Sequence, residues 1–219
     1  MSRIVFGIIG IEDSDFMIKN TNNEPVAGSD CIVVIVCSTG GPKALHKIVP
    51  RLPKDFPVPV LIVQHMADWM TGPFSKRLND VSEITVKEAA HGEALQPGTA
   101  YVAKGGLHLT VAWNESGSTV FLDDSMPIDS LKPSADKLFE SLVDGPYDKI
   151  ICVVLTGMGQ DGTVGIKKLS ESKNTYVIAQ DEASCTVYGM PKAVYQNGLA
   201  NVVCDLNEIA EQIIRKVGE

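Results

Sequence analysis

Apolar and polar positions along this chain switch repeatedly between two periods. Residues 31–36 are a short run rich in β-branched side chains that ends at Ser-Thr-Gly-Gly-Pro; Ala44, Leu45, Ile48 and Val49 then recur at helical spacing, with Pro42 suited to a first helical turn. The pattern predicts a strand, a sharp turn and a helix. Residues 58–63 predict a second apolar strand, ending at Gln64-His65-Met66, and residues 74–78 a short helix. Segments 84–88, 99–103, 107–113 and 118–122 alternate over short lengths between Gly, Pro or Asn, which predicts an antiparallel excursion. Ser134 is expected to cap a helix running to about 143, with Leu138, Leu142 and Val143 on its apolar side. Residues 149–155 form an apolar strand entering Thr-Gly-Met-Gly-Gln-Asp-Gly, and a helix follows to about 170. Strand 175–179, helix 191–196, strand 199–203 and helix 206–217 complete the chain. Strands alternating with helices predict an α/β fold: a doubly wound, mostly parallel sheet with helices on both faces and an antiparallel hairpin addition at one edge.

The first thirty residues stand outside this alternation. The run Ile-Val-Phe-Gly-Ile-Ile-Gly-Ile at 4–11 follows Arg3 as the apolar part of a signal peptide would. It is too short to span a bilayer, however, and runs into Glu12-Asp13-Ser14-Asp15 without a small-residue cleavage site. It reads as a strand or a tail. Between Lys19 and Asp30 the sequence is polar and turn-rich, which predicts a linker. The expected organisation is an N-terminal tail or linker over 1–30 and one domain over 31–219.

Composition narrows the chemistry. With 219 residues and a 44% hydrophobic content the chain can bury an ordinary core, which excludes disorder. Nineteen Lys and Arg against 27 Asp and Glu give a net charge of −8, which argues against nucleic acid and against anionic membrane as partners. The five cysteines, at 31, 37, 152, 185 and 204, are odd in number and contain no Cys-x-x-Cys. They suggest neither a disulfide framework nor a zinc site, and a reducing cytoplasm fits them best.

In a sheet of this kind chemistry collects in the loops at the carboxyl ends of the strands. Three such loops stand out. Cys37-Ser38-Thr39-Gly40-Gly41 holds a serine on a tight strand-to-helix turn, near the positive end of a helix and beside backbone N–H groups able to bind an oxyanion. It half-matches a nucleophile elbow, because Val36 stands where the first glycine of Gly-x-Ser-x-Gly is expected. A Ser/Thr cap on a glycine-rich turn is the plain alternative. Gln64-His65-Met66 ends the next strand and could bring an imidazole to that serine as general base and acid. His46, His91 and His108 read as surface or packing residues. In the third loop Asp161 could accept from the Nδ1–H of His65. Alternatively it caps the helix that follows, or the loop cradles a phosphate. Against a phosphate stand the missing Gly-x-Gly-x-x-Gly spacing, the missing Gly-Lys-Ser/Thr and the charge of Asp161 itself. One Ser, one His and one Asp converge, each in a loop at a strand end.

These runs also resemble a known family. Ser38-Thr39-Gly40-Gly41, Gln64-His65-Met66 and Leu155-Thr156-Gly157-Met158-Gly159-x-Asp161-Gly162 are similar to the chemotaxis protein-glutamate methylesterase catalytic domain. So are Pro97-Gly98-x-Ala100-Tyr101-x-Ala103, Pro133-Ser134-x-Asp136-x-Leu138-Phe139, and Ala179-Gln180-x-Glu182-Ala183-Ser184-Cys185 followed by Tyr188-Gly189-Met190-Pro191. The resemblance implies a cytoplasmic serine hydrolase that removes methyl esters from glutamates on the cytoplasmic helices of methyl-accepting chemoreceptors, with glutamine deamidation as a second activity. It implies Ser38 as nucleophile, His65 as base, Asp161 as orienting acid, the N–H of Met158 at the oxyanion position, and Thr39 and Arg77 lining the site. No metal or organic cofactor is implied.

Two departures bear on activity. Val36-Cys37 replaces the usual Gly-Ala, and a branched residue there is expected to tighten the turn and lower the rate. The stretch before Pro133-Ser134 lacks the usual His and Arg, and Lys132 keeps a charge without the planar fork. A non-catalytic receptor-binding module is therefore the second reading, and a nucleotide- or phosphate-binding domain the third. Family members usually carry an N-terminal receiver domain of about a hundred residues. Thirty residues cannot hold one, so the expectation is a catalytic fragment or a natural form without a receiver, insensitive to a phosphodonor.

Overall fold

The computed structural model describes residues 30–115 and 117–219, so the apolar run at 4–11 and the polar stretch before Asp30 lie outside the described residues. In chain order the elements are β1 (Cys31–Cys37), α1 (Gly41–Ile48), β2 (Val60–Gln64), α2 (Asp68–Asn79), β3 (Thr85–Glu88), β4 (Thr99–Val102), β5 (His108–Asn114) and β6 (Gly117–Asp123). They continue with α3 (Ala135–Leu142), β7 (Lys149–Val154), α4 (Thr163–Ser170), β8 (Asn174–Gln180), α5 (Met190–Gln196), β9 (Val202–Cys204) and α6 (Ile209–Gly218). Seven strands form one sheet in the order β3-β4-β2-β1-β7-β8-β9, and every neighbouring pair is parallel.

The two faces of β1 show why the sheet is wound on both sides. All seven of its residues are buried. Val33, Ile35 and Cys37 join one core with Leu45 and Ile48 of α1, Leu78 of α2 and Ile209 and Ile213 of α6. Ile32, Val34 and Val36 join the other, with Leu138, Phe139 and Leu142 of α3, Ile166 and Leu169 of α4 and Val194 of α5. A strand buried on both faces needs no polar alternation, which is why this segment reads as a continuous apolar run. The chain leaves β1 toward β2 on one side and returns to pair β7 on the other, so the crevice at the carboxyl end of β1 is the topological switch point.

The expected doubly wound parallel sheet and antiparallel hairpin are both present, with one narrowing. Among the described strands only β5 and β6 pair antiparallel. They form a separate two-stranded sheet against α3, whereas β3 and β4 belong to the main sheet as parallel strands. Short half-buried segments separated by turn residues carry the same alternation in either direction. The helix expected over 74–78 begins at Asp68, because its first turn exposes Trp69 and Met70 while Thr71 and Ser75 are buried, which erases the apolar stripe. Val36 lies in β1 in register with Val63 and Val154 and does not strain the turn; the left-handed residue is Gly40, at φ 86°. Among the described residues no helix is long and apolar enough to cross a membrane.

Candidate active site

Strand alternation sets the direction of each key side chain. Cys37 and Gln64 are register partners on β1 and β2, they face the α1 side, and the Cys37 thiol donates to Gln64 Oε1 at 3.1 Å. One residue further along, Ser38 and His65 therefore turn toward the α3 and α4 side, on adjacent strands. The His65 N–H donates to the Cys37 carbonyl at 3.1 Å, which fixes how the two loops leave the sheet. Ser38 is held at both ends: its N–H donates to the Thr156 carbonyl at 3.1 Å, and its own carbonyl accepts from Gly41 N–H at 2.8 Å and from Gln64 Nε2 at 3.1 Å.

His65 reaches Asp161 directly, Nε2 to Oδ2, at 2.8 Å. The nitrogen differs from the expected Nδ1, for a geometric reason. Asp161 follows β7, which lies beyond β1, so the nitrogen farther from the backbone spans the gap. With the proton on Nε2, Nδ1 is the basic nitrogen of the neutral ring and the one available to Ser38. Among the described residues no hydrogen bond joins the Ser38 hydroxyl to the ring, and such contacts commonly tighten only when substrate is bound.

Asp161 is a buried residue with four donors. Besides His65, its oxygens accept from Ser134 Oγ at 2.9 Å, Ala135 N–H at 2.6 Å and Asp136 N–H at 3.1 Å. Burial pushes this carboxyl up, but the hydrogen bonds from His65, Ala135 and Asp136 outweigh it and hold the pKa below its ordinary value. Asp161 therefore does not cap its own helix. It receives the N-terminus of α3, where its charge also meets the positive end of the helix dipole. Ser134 occupies the N-cap position of α3 but makes no side-chain cap, because its hydroxyl is committed to Asp161.

Sequence reasoning passed over three residues that tie the loops together. Buried Gln64 donates to both the Ser38 and His65 carbonyls, at 3.1 and 2.9 Å. The Thr156 hydroxyl donates to the Thr39 carbonyl at 2.9 Å and accepts from the N–H groups of Thr186 and Val187. Gln180, fully buried at the end of β8, accepts from Thr156 N–H at 2.8 Å. Each is a polar residue at or just past the end of an apolar strand, a placement that signals a buried hydrogen-bonding duty.

Among the described residues the N–H groups of Thr39, which follows Ser38, and of Met158 have no acceptor. The Met158 side chain is 75% exposed and Thr39 is exposed. Among the described residues no hydrogen bond or ion pair ties Arg77 to this group. It is exposed in the last turn of α2, about 13 Å along the axis from Asp68, at the end where Asn79 accepts from Val86 N–H in β3. Lys132 is paired with Asp124 at 2.6 Å. Among the described residues there is no group of three or more His, Cys, Asp or Glu placed to hold a metal ion.

Comparison with known proteins agrees with this architecture. Residues 33–213 match the family described as CheB methylesterase. The chain is 44% identical over 202 residues to a protein-glutamate methylesterase/protein-glutamine glutaminase of Desulfotalea psychrophila, covering 91% of this chain and 55% of that one. It is 46% identical over 185 residues to the protein of the same description from Bacillus subtilis, covering 83% and 51%. The chain thus spans about half the length of these curated relatives. The crystal structure of the Thermotoga maritima CheB methylesterase catalytic domain superposes with a TM-score of 0.83 at 42% identity, covering 87% of this chain and all of that one. Fold and sequence agree: this chain belongs to the CheB methylesterase family.

Proposed function

We propose that this protein is a cytoplasmic serine hydrolase that removes methyl esters from glutamate side chains on the cytoplasmic helices of methyl-accepting chemoreceptors, releasing methanol. Deamidation of glutamine on the same helices is the same acyl chemistry with ammonia as leaving group. The observation that carries the reading is the 2.8 Å contact of His65 with Asp161, set beside Ser38 at the switch point of the sheet. The descriptions of the relatives as glutamate methylesterases and glutamine glutaminases support the ester and amide of glutamate as substrates. The domain responsible is residues 31–219, with 1–30 as a tail or linker.

In this mechanism Ser38 Oγ attacks the ester carbonyl while His65 Nδ1 takes the hydroxyl proton. The imidazolium is stabilised by the Asp161 carboxylate, which stays ionised because its donors hold its pKa down. The oxyanion is received by the N–H groups of Thr39 and Met158. The proton on Nδ1 passes to the methoxide, methanol leaves, and an acyl-enzyme on Ser38 remains. Water activated by Nδ1 then releases the glutamate carboxylate and restores the serine. Val36 and Lys132 touch no step of this sequence.

The test is methanol release from a methylated receptor cytoplasmic fragment by wild type and Ser38→Ala. Ser38→Ala is expected to lose activity by at least about a thousandfold with an unchanged melting temperature. Near-normal activity in that variant would sink the reading. Binding of the fragment by wild type without methanol release would instead identify a receptor-binding module of the same fold.

A further inference from the structure

We propose that His108 and Ser134 are positioning residues that hold Asp161 in the orientation His65 requires; the proposal rests on the esterase reading above. His108 opens β5 and is fully buried, with both ring nitrogens in use. The N–H of Ser134 can only donate, so Nδ1, 3.1 Å away, must be an acceptor. The Met126 carbonyl can only accept, so Nε2, also 3.1 Å away, must carry the proton. The two backbone partners therefore fix a single neutral tautomer. This ring is a clamp between the loop after β6 and the residue that opens α3.

The clamped residue is the one that reaches Asp161. Ser134 is fully buried, and its hydroxyl donates to Oδ1 at 2.9 Å. Asp136 N–H shares Oδ1, while Oδ2 receives Ala135 N–H and His65 Nε2. With two donors on each oxygen the carboxylate has one orientation, in which Oδ2 faces the imidazole. Without the Ser134 hydroxyl, Oδ1 keeps only the Asp136 N–H, so rotation of the carboxylate becomes easier and its charge less dispersed. A loss of His108 acts one step removed, because it releases the Ser134 N–H that the ring holds where α3 opens. A continuous chain thus runs from the β5–β6 hairpin through His108, Ser134 and Asp161 to His65. It gives the hairpin, which is not hydrogen-bonded into the seven-stranded sheet, a part in the reaction.

The experiment compares wild type, Ser134→Ala and His108→Phe as the full chain, with kcat and KM for methanol release across pH, melting temperature, and the proton NMR signal of the His65 Nε2–H, assigned by its loss in His65→Gln. Ser134→Ala is expected to lower kcat about tenfold, the scale of one hydrogen bond to a charged group, with KM unchanged. The less shielded carboxylate holds a proton on the ring more tightly, so the acid limb of kcat/KM moves to higher pH and the NMR signal shifts. His108→Phe is expected to move all three in the same direction, and the double variant to be no worse than the worse single one, since both act through one chain. An acid limb and an NMR signal left in place in Ser134→Ala overturn the proposal, including the case in which activity falls only as the melting temperature does. Should His108→Phe not fold, Ser134→Ala decides alone. If wild type releases no methanol, the esterase reading fails while the NMR signal still decides whether Ser134 and His108 position the pair. An active wild type with unaltered variants overturns this proposal and leaves that reading standing.

Discussion

The Asp161 carboxylate is buried, yet its pKa lies below the ordinary value because the donors around it outweigh the desolvation. A folded-state pKa below the unfolded value of about 4 means that ionised Asp161 stabilises the fold above that pH. The contribution is lost as the pH falls through the lower folded value. The melting-temperature gap between wild type and Asp161→Asn is therefore expected to be widest above about pH 5 and to close toward pH 2. Thermal melts across that range check it, and a gap independent of pH would show that the carboxylate's charge contributes nothing. Cys37 is a different case beside the same serine. Burial pushes its thiol far above the ordinary value, and its proton is given to Gln64, so Cys37 is not a rival nucleophile. The convergence of Ser38, His65 and Asp161 was legible in the sequence because each follows an apolar strand. Which imidazole nitrogen meets Asp161 was not, because that depends on β1 lying between β2 and β7, a fact of strand order alone.

Helices α3 and α4 exchange carboxylates across their N-termini. Asp161, just before α4, accepts from the first N–H groups of α3, and Asp136, in the first turn of α3, accepts from Gly165 N–H in α4 at 2.6 Å. Each helix thereby gains an anion at its positive end. The exchange needs the helices in close contact, and Gly165 is where they touch. A Cβ there would lie 2.7 Å from Phe139 Cβ, the root of a fully buried side chain, and 2.9 Å from Asp136 Cα, a backbone atom that cannot swing away. Gly165→Ala is accordingly expected to cost about 1–3 kcal/mol despite alanine's better helix propensity. That corresponds to a melting temperature lower by about 2–4 °C for each kcal/mol. Because the same contact places the donors of Asp161, kcat should fall with it; a variant as stable as wild type would show that the helices part freely. None of this pairing is visible along the chain, where Ser134 reads as the cap of its own helix and Asp161, in its alternative reading, as the cap of the next. Local capping rules assign each side chain to its nearest helix, and here tertiary packing offers each acid a better one.

At the scale of the molecule, one strand organises everything else. β1 separates the two apolar cores, pairs with β2 and β7 on either side, and delivers Ser38 at the point where the winding reverses. Its first residue is Cys31, and its ladder with β7 begins there, at Cys31 opposite Lys149. Asp30 closes the amino end, its carbonyl accepting from the N–H groups of Asp148 and Lys149 at 2.9 Å. Among the described residues both cores are built from residues 31 onward. If residues 31–219 are the folding unit, deletion of residues 1–29 should remove no core side chain and no sheet hydrogen bond. The truncated chain is then expected to melt within about 2 °C of the full one, the range of substitutions that touch no core. It should also release methanol from the receptor fragment at the same rate, since Ser38, His65 and Asp161 and the residues that orient them all lie beyond residue 31. Differential scanning calorimetry with the methanol assay checks both. A melting temperature lowered by much more than this would place part of residues 1–29 within the domain, and a rate that fell without a change in melting would assign those residues to substrate engagement instead.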